Sequence, residues 1–573
     1  MDSPVINPLT EVRSKVYQRR YLFGIPRLLI LAAIVAGVYH APRAEAQQAP
    51  ANDPESKSRQ ETAEFYRPNQ IQVIHVKVSN KDLQTLHAAL PHRIYVPATF
   101  QWGEHTIKNV GIRYKGNSSS NPNQPFKRSF LIKFSEFQKG CDFLGLERVA
   151  LDNGIQFGSL FSEQLITSVL RDLNVKASRC NFAKLYLNGK YHGVYTNVER
   201  IDKVFIKSNF TEVDGALYKN DEGGLGAALT MIRQSPTANQ RGQLAFEPKS
   251  KSAHKDARDV LDLISKINLT PDEDFIKVME ETIDMDAFLK TMAVMLYSGA
   301  FDQLTGVGPH NYYLYHDPKS ERWNYLPWDL DVGFSDNAFG RVPVIDGWNA
   351  AWPMIGGAPS PLVRRIIENP QLRARYRRIA DTILERYFHP NVLLPKVDEL
   401  YARIKDDLAA DPFPHRRVTN PADQDYEDVI ASIKQFVKRR YKTARTQLDN
   451  PGVRPPASQN PNHGKEPQPG QPSADAPREL RIASASASSV TLQWKDNAEG
   501  EAGHLVQRAE DEKGQEFRNV IGKPGTDITS AIDNNVVPGR IYRYRVYAVT
   551  HTPNGPHGSG VSNVVTIRVP SDK

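Results

Sequence analysis

Residues 311–334 read NYYLYHDPKSERWNYLPWDLDVGF. Two runs rich in Tyr, Trp and Leu flank Asp317-Pro318-Lys319-Ser320-Glu321, whose composition is that of a turn. The stretch is therefore expected to be a β-hairpin, with strands over 311–316 and 322–328. Its return strand delivers Asp329-Leu330-Asp331. Two carboxylates two residues apart, at the end of an apolar strand, are poorly explained by packing. They suit a hard divalent cation, which takes oxygen ligands. Trp323, Tyr325 and Asp329 have the same parity, so a regular strand would point all three to one face. Trp323 is then either a stacking surface in a cleft or a core aromatic.

Upstream of the hairpin the pattern is mostly β. Residues 71–78 alternate, two short strands are expected within 100–114, and another over 129–134. On the last of these, Leu131 and Lys133 share a face opposite Phe130, Ile132 and Phe134. Residues 116–123, GNSSSNPN, form a donor-rich loop that suits either a phosphate contact or a plain connection. Residues 160–173, LFSEQLITSVLRDL, have helical spacing, with Glu163 in the first turn and Asn174 at the C-terminal end. Leu185-Tyr186-Leu187 runs into Asn188-Gly189, the strongest short hairpin signal. A short strand follows over 217–219, then a glycine-containing irregular insertion over 221–249. From residue 253 the pattern turns helical. Helices are expected over 257–267, 271–282, 286–297, 361–388, 392–411 and 426–447, with a new helix starting at Pro370. The largely apolar 286–297 is the expected buried central helix.

Both ends differ from this body. Residues 1–46 read as a targeting segment: a basic pair Arg19-Arg20, an apolar run over 28–39 too short to span a bilayer comfortably, and Ala44-Glu45-Ala46 as a small-x-small cleavage site. Cleavage after Ala46 is the expectation, with a retained anchor as the alternative; the arginine pair loosely resembles a twin-arginine export signal. Residues 47–70 are read as a flexible spacer and 450–476, rich in Pro, as a linker. Residues 477–570 alternate as an all-β module, and Tyr542-Arg543-Tyr544-Arg545-Val546-Tyr547-Ala548-Val549 resembles a strand of a fibronectin type III domain.

At 573 residues the chain should hold more than one core. Its net charge of +8 is spread over that length. Without a recognition-helix, RNP-like or zinc-finger signature, it gives no case for nucleic-acid binding. The two cysteines, Cys141 and Cys180, form no CxxC pair. They leave one disulfide open and make a zinc site of thiolates improbable.

Taken together, N-x-Y-L-Y-x-D-P and W-x-x-x-P-W-D-L-D-x-x-F resemble the spore-coat protein H family, CotH, of atypical protein kinases. VGIRYKGNSS over 110–119, FKRSFLIKF over 126–134, LYLNGKYHGVYTNVERID over 185–202 and LYK over 217–219 carry the same resemblance, which runs over 71–449. It implies an α+β, bilobal atypical protein-kinase-like domain, followed by the all-β fibronectin type III sandwich. It also implies ATP with Mg²⁺ or Mn²⁺ as cofactors, and Ser or Thr hydroxyls of secreted or surface proteins as acceptors. By resemblance Asp302 is the catalytic carboxylate, Asn311 and Asp329 are metal ligands, and Asp331 assists. Lys133 is the lysine that pairs the nucleotide phosphates, with Arg113 and Lys115 as lesser candidates. Glu163 is offered to that lysine, Glu199 lies at the adenine-reading hinge, and Trp323 stacks on adenine. The nine residues from Asp302 to Asn311 exceed the kinase spacing of about five. The rival expectation is an inactive cell-surface protein on a kinase-like shell, with the β-module as an adhesive, polysaccharide-contacting part. A third is a transferase that moves a nucleotidyl group.

Overall fold

The computed structural model describes residues 54–116, 120–124, 126–154, 159–220, 226–231, 244–338, 342–355, 360–413, 423–452, 469–501, 503–510, 517–524, 527–534, 536–552 and 555–571. The expected targeting segment and its cleavage point lie outside the described residues. So do 117–119 of the donor-rich loop and most of the insertion after residue 220.

The first element corrects the reading of 47–70 as a spacer. Residues Pro54–Phe65 form a helix, α1, that docks on the fold. Its end plugs Phe65 and Tyr66 into a core, and Thr62 Oγ1 donates to the Leu144 carbonyl at 2.8 Å. Only these last residues are strongly apolar, so no periodicity announces the helix; tertiary packing holds it.

That core fills a closed barrel. Its strands are β1 (Gln72–Val78), β2 (Val96–Trp102), β3 (His105–Lys115), β4 (Ser129–Lys133), β5 (Arg148–Asp152), β6 (Cys180–Leu187) and β7 (Lys190–Val198), ordered β1-β2-β3-β4-β5-β7-β6. The parallel pairing of β1 with β6 closes it. Alternation sends Ile112, Phe130, Ile132, Val149 and Leu185 inward. Two helices interrupt the strands, α2 (Asn80–Ala88) and α3 (Ser162–Asp172). The β6–β7 turn has the positive φ values expected of Asn-Gly, 53° at Asn188 and 79° at Gly189.

After the barrel come α4 (Lys203–Asn209), β8 (Ala216–Asn220), β9 (Glu247–Pro248), α5 (Arg258–Leu269), α6 (Phe275–Thr282) and α7 (Met285–Ser298). The decisive hairpin follows as β10 (Tyr312–Asp317) and β11 (Arg322–Pro327), in a sheet ordered β11-β10-β8-β9. The short pair β12 (Asn337–Ala338) and β13 (Val342–Pro343) leads to α8 (Pro361–Glu368), α9 (Pro370–Ile383), α10 (Pro390–Ala409) and α11 (Tyr426–Asp449). As expected, α7 is the buried central helix, and Asn369 caps the new helix at Pro370. Gly299 ends α7 at φ 72°, where a Cβ would meet Val344 at 2.9 Å. Among the described residues no helix is long and apolar enough to cross a membrane. Cys141 and Cys180 stand as free thiols.

The C-terminal strands make two sheets. One holds β14 (Arg478–Ala485), β15 (Val490–Lys495) and β18 (Ser530–Asp533). The other holds β16 (Gly503–Glu510), β17 (Arg518–Pro524), β19 (Ile541–Thr552), β20 (Gly555–Gly558) and β21 (Val565–Arg568). Trp494, Val506, Tyr544 and their neighbours give these sheets their own core. Leu505, Tyr547 and Val549 instead join the core of the helical part. Gly522 of β17 lies so close to Met231 that a Cβ would sit 2.6 Å from its side chain. The sequence reads as a separate module; in the fold it is packed onto the helices.

Candidate functional site

The hairpin delivers its carboxylates by breaking its own regularity. β11 ends at Pro327, and Asp329 turns to φ 58°, a left-handed conformation uncommon for a side-chain-bearing residue. Asn311, just before β10, has φ 58° too. Parity therefore does not carry from Trp323 to Asp329. Trp323 and Tyr325 stay in the hydrophobic core, while the Asp329 side chain is 37% exposed.

Three segments, 301–303, 307–311 and 328–329, meet at this turn. Trp328 N–H donates to the Asn311 carbonyl at 3.0 Å, and Gln303 Nε2 to the Trp328 carbonyl at 2.9 Å. Asp302 Oδ2 accepts from Asn311 Nδ2 at 3.0 Å and lies 3.1 Å from His310 Nε2. The nine-residue gap is absorbed because 303–310 folds back: the N–H groups of Val307 and Gly308 both donate to the Phe301 carbonyl. Gly308 is required here, since a Cβ would fall 2.5 Å from Asp302 Oδ1. That oxygen is buried and has no hydrogen-bond partner among the described residues.

The cation paired with these carboxylates is Lys115, from the end of β3. Its Nζ lies 2.6 Å from Asp152 Oδ1 and 3.5 Å from Asp329 Oδ1. Burial pulls its pKa down, but Asp152 and then Asp329 more than offset that, so the ammonium is held firmly. Glu163, on the first turn of α3, is buried, and Leu330 N–H points at its Oε1 from 3.4 Å. Burial, then the charge of Asp152, raises its pKa well above the ordinary 4.5. Removal from water, then Asp329, raises that of Asp331 in the same way, and burial raises that of Asp152.

Structure and expectation part at four residues. Lys133 lies four residues along β4 from Ser129, the register partner of Lys115. Its ammonium is 2.6 Å from Glu136 and faces the Tyr95 ring, which Arg113 also covers. Glu199 is buried with both oxygens bound to Arg179, and its N–H is spent on the Arg179 carbonyl. Trp323 is 5% exposed, packed against Tyr218 and His316. The structure brings Asp302, Asn311, Asp329, Asp331, Glu163 and Lys115 together, and not Lys133, Arg113, Glu199 or Trp323.

Sequence reasoning missed four neighbours. Asp152 ends the apolar strand β5, the same signal that singled out Asp329. His310 directly precedes Asn311. Arg200 and Lys115 both sit over the Trp328 ring, at 5.2 and 5.5 Å, and Lys219 sits over Tyr313, which packs edge-on against Trp328. Three cations thus gather round one aromatic pair beside the carboxylates.

The family model described as CotH kinase protein matches residues 112–444. The chain belongs to the CotH kinase family. A curated member, "Inner spore coat protein H" of Bacillus subtilis (strain 168), is 25% identical over 338 residues, covering 59% of this chain and 87% of that protein. Solved structures include a chain described as "Myokine structure", at TM-score 0.14 and 22% identity over 17% of this chain and all of that one. Another is "Twitchin kinase region from C.elegans", at TM-score 0.15 and 19% identity over 18% of this chain and 17% of that one. At such TM-scores these two likenesses carry no argument. Membership of the CotH kinase family indicates a kinase-like protein, with ATP and a divalent metal as its general cofactors. The residues present fit such a metal. Asp329 and Asp331 lie among Asp152, Glu163 and Asp302, each of which keeps one buried carboxylate oxygen without a partner among the described residues, so the cluster carries negative charge and oxygen donors that a divalent cation beside Asp329 and Asp331 would balance.

A pH dependence follows. Glu163, Asp331 and Asp152 hold their protons more tightly folded than unfolded. Metal-free protein should therefore lose stability as pH rises out of the ordinary carboxyl range toward their raised values. Mg²⁺ or Mn²⁺ should flatten that slope, as should Glu163→Gln. Urea midpoints in chelator over about pH 5 to 8 check this; a slope of the opposite sign contradicts it.

Proposed function

We propose that this CotH kinase is exported and moves the γ-phosphate of ATP to Ser or Thr hydroxyls of secreted or surface proteins. The observation that carries the reading is Lys115 set between Asp152 and Asp329, with Asp302 tied to Asn311 in the same cluster of carboxylates. Asp302 accepts the proton of the acceptor hydroxyl, and His310 and Asn311 fix its orientation. Lys115, with Arg200 and Lys219 nearby, receives the phosphates. Asn311, Asp329 and Asp331 are the residues that would hold Mg²⁺ or Mn²⁺. Such an ion neutralises charge on the phosphate oxygens. The eight residues between Asp302 and Asn311 fold back beside Asp302 rather than displacing it. The C-terminal sheets are read as a fibronectin type III module, a surface for proteins or polysaccharide. Export rests on the N-terminal segment, and a twin-arginine route would let the kinase act before leaving the cytoplasm, where ATP is plentiful.

The reading is tested by ATP binding in a thermal-shift titration. Binding should require Mg²⁺ or Mn²⁺. Lys115→Ala should weaken it by about 10–100-fold, the loss of a charge-assisted hydrogen bond, and Lys133→Ala should leave it unchanged. Metal-independent binding, or the reverse order of the two lysines, sinks the assignment.

A further inference from the structure

We infer that the C-terminal sheets carry a second metal site, for a borderline first-row divalent ion such as Zn²⁺, formed by Asp496, Glu501 and His504. Asp496 directly follows β15, Glu501 lies in the connection, and His504 is the second residue of β16. One ligand atom from each lies within 4.8 Å of the others.

The cluster is built into the fold. His504 is fully buried and the Asp496 side chain is 10% exposed, with Nε2 of the first 3.2 Å from Oδ1 of the second. Glu501 is 4% exposed. Its Oε1 accepts from Asp527 N–H at 2.7 Å, and Asp496 Oδ1 from Ala498 N–H at 3.0 Å. These backbone donors orient the carboxylates as outer partners orient metal ligands. They do not exhaust them. Asp496 Oδ2 and His504 Nδ1 are buried without a hydrogen-bond partner among the described residues. Two carboxylates enclosed around an imidazole, with no lysine or arginine bonded to them by a described contact, are what a cation resolves. The Trp494 ring, 5.6 Å from His504, closes the apolar side.

The donor set chooses the ion. Ca²⁺ takes six to eight oxygens, more than three residues supply here. One imidazole nitrogen and two carboxylate oxygens match Zn²⁺ with a fourth position left over. Tetrahedral zinc with bonds of about 2.0–2.2 Å sets its ligand atoms about 3.3–3.6 Å apart, so any wider pair of the three closes on binding. The site is in a different part of the chain from Asp302 and Asp329, and it stands whether or not the kinase reading does.

The test uses the full chain, stripped with chelator, loaded with Zn²⁺ alone, freed of excess by gel filtration and assayed for metal content. The parent and Asp329→Asn should each keep one equivalent at this site. His504→Phe and Glu501→Gln should lose that equivalent. Co²⁺ in place of Zn²⁺ should give a visible absorption band in the parent that Glu501→Gln abolishes, which decides the matter if His504→Phe does not fold. A parent that retains no zinc, or a Glu501→Gln variant that retains as much as the parent with the same cobalt spectrum, overturns the site.

Discussion

Asp302→Asn is expected to slow phosphoryl transfer by about 10²–10⁴-fold, the usual contribution of a positioned general base, with ATP affinity close to that of the parent. The amide keeps the shape of the carboxylate and still accepts from Asn311. It cannot take a proton. Oδ2 of the native side chain is engaged by Asn311 Nδ2 and lies 3.1 Å from His310 Nε2, while Oδ1 is unpartnered among the described residues but enclosed beside Gly308, so the acceptor hydroxyl reaches Oδ1 only when the 303–310 loop gives way. Single-turnover rates with saturating ATP, alongside binding titrations, separate the two effects. A variant that transfers at the parent rate removes Asp302 from the chemistry. One that loses ATP affinity and rate together makes it a structural residue of the loop.

The second large effect is on stability. Lys127 and Asp411 form an ion pair at 2.7 Å with neither side chain exposed. It joins the segment before β4 to the residue two positions past α10. Asp411 Oδ2 also accepts from Val194 N–H at 3.1 Å, while Lys127 Nζ donates to the Val194 carbonyl at 2.6 Å and faces the Tyr195 ring. The α10 end is thereby plugged into β7. Gly193 makes room for it: φ is 109°, and a Cβ would clash with the Asp411 carboxylate. Burial holds the Lys127 pKa below its ordinary value despite Asp411, a sign of how fully the pair is desolvated. Removing one partner strands a buried charge and should cost about 3–5 kcal/mol. Asp411→Ala and Lys127→Met should each show that loss in denaturant unfolding. The double variant should be less destabilised than the sum of the two. Additive losses would mean that the pair is not coupled.

Much of this architecture was legible in local pattern. The 311–334 hairpin, the Asn188-Gly189 turn, the buried α7 and the break at Pro370 each rest on turn chemistry or on period, which short stretches contain in full. Asp302, Asn311 and Asp329, which the structure brings together, stand out through the motif, in which Lys115 ranks below Lys133. The lysines at 115 and 133 look alike on their strands. Only the pairing of β3 with β4 reveals which one reaches Asp152 and Asp329. Trp323 was misplaced because alternation was extended through Pro327 into a residue with left-handed backbone. Glu199 looked like a hinge acceptor because its partner Arg179 lies twenty residues away in sequence. The α1 helix, closure of the barrel and docking of β17 on the helical part depend on long-range contact, and no window of sequence holds that information.

The central claim is that the turn at Asp302, Asn311 and Asp329 moves the terminal phosphoryl group of ATP. The most direct measurement is label transfer to a Ser-rich acceptor by residues 47–573, run in parallel with γ-labelled and α-labelled ATP in Mn²⁺ or Mg²⁺. The account predicts that γ label reaches the acceptor, that α label does not, and that Asp329→Ala abolishes transfer. Label from the α position would make the chain a nucleotidyl transferase. No transfer of either label, with no metal-dependent ATP binding, would contradict the account and leave an inactive kinase-like shell.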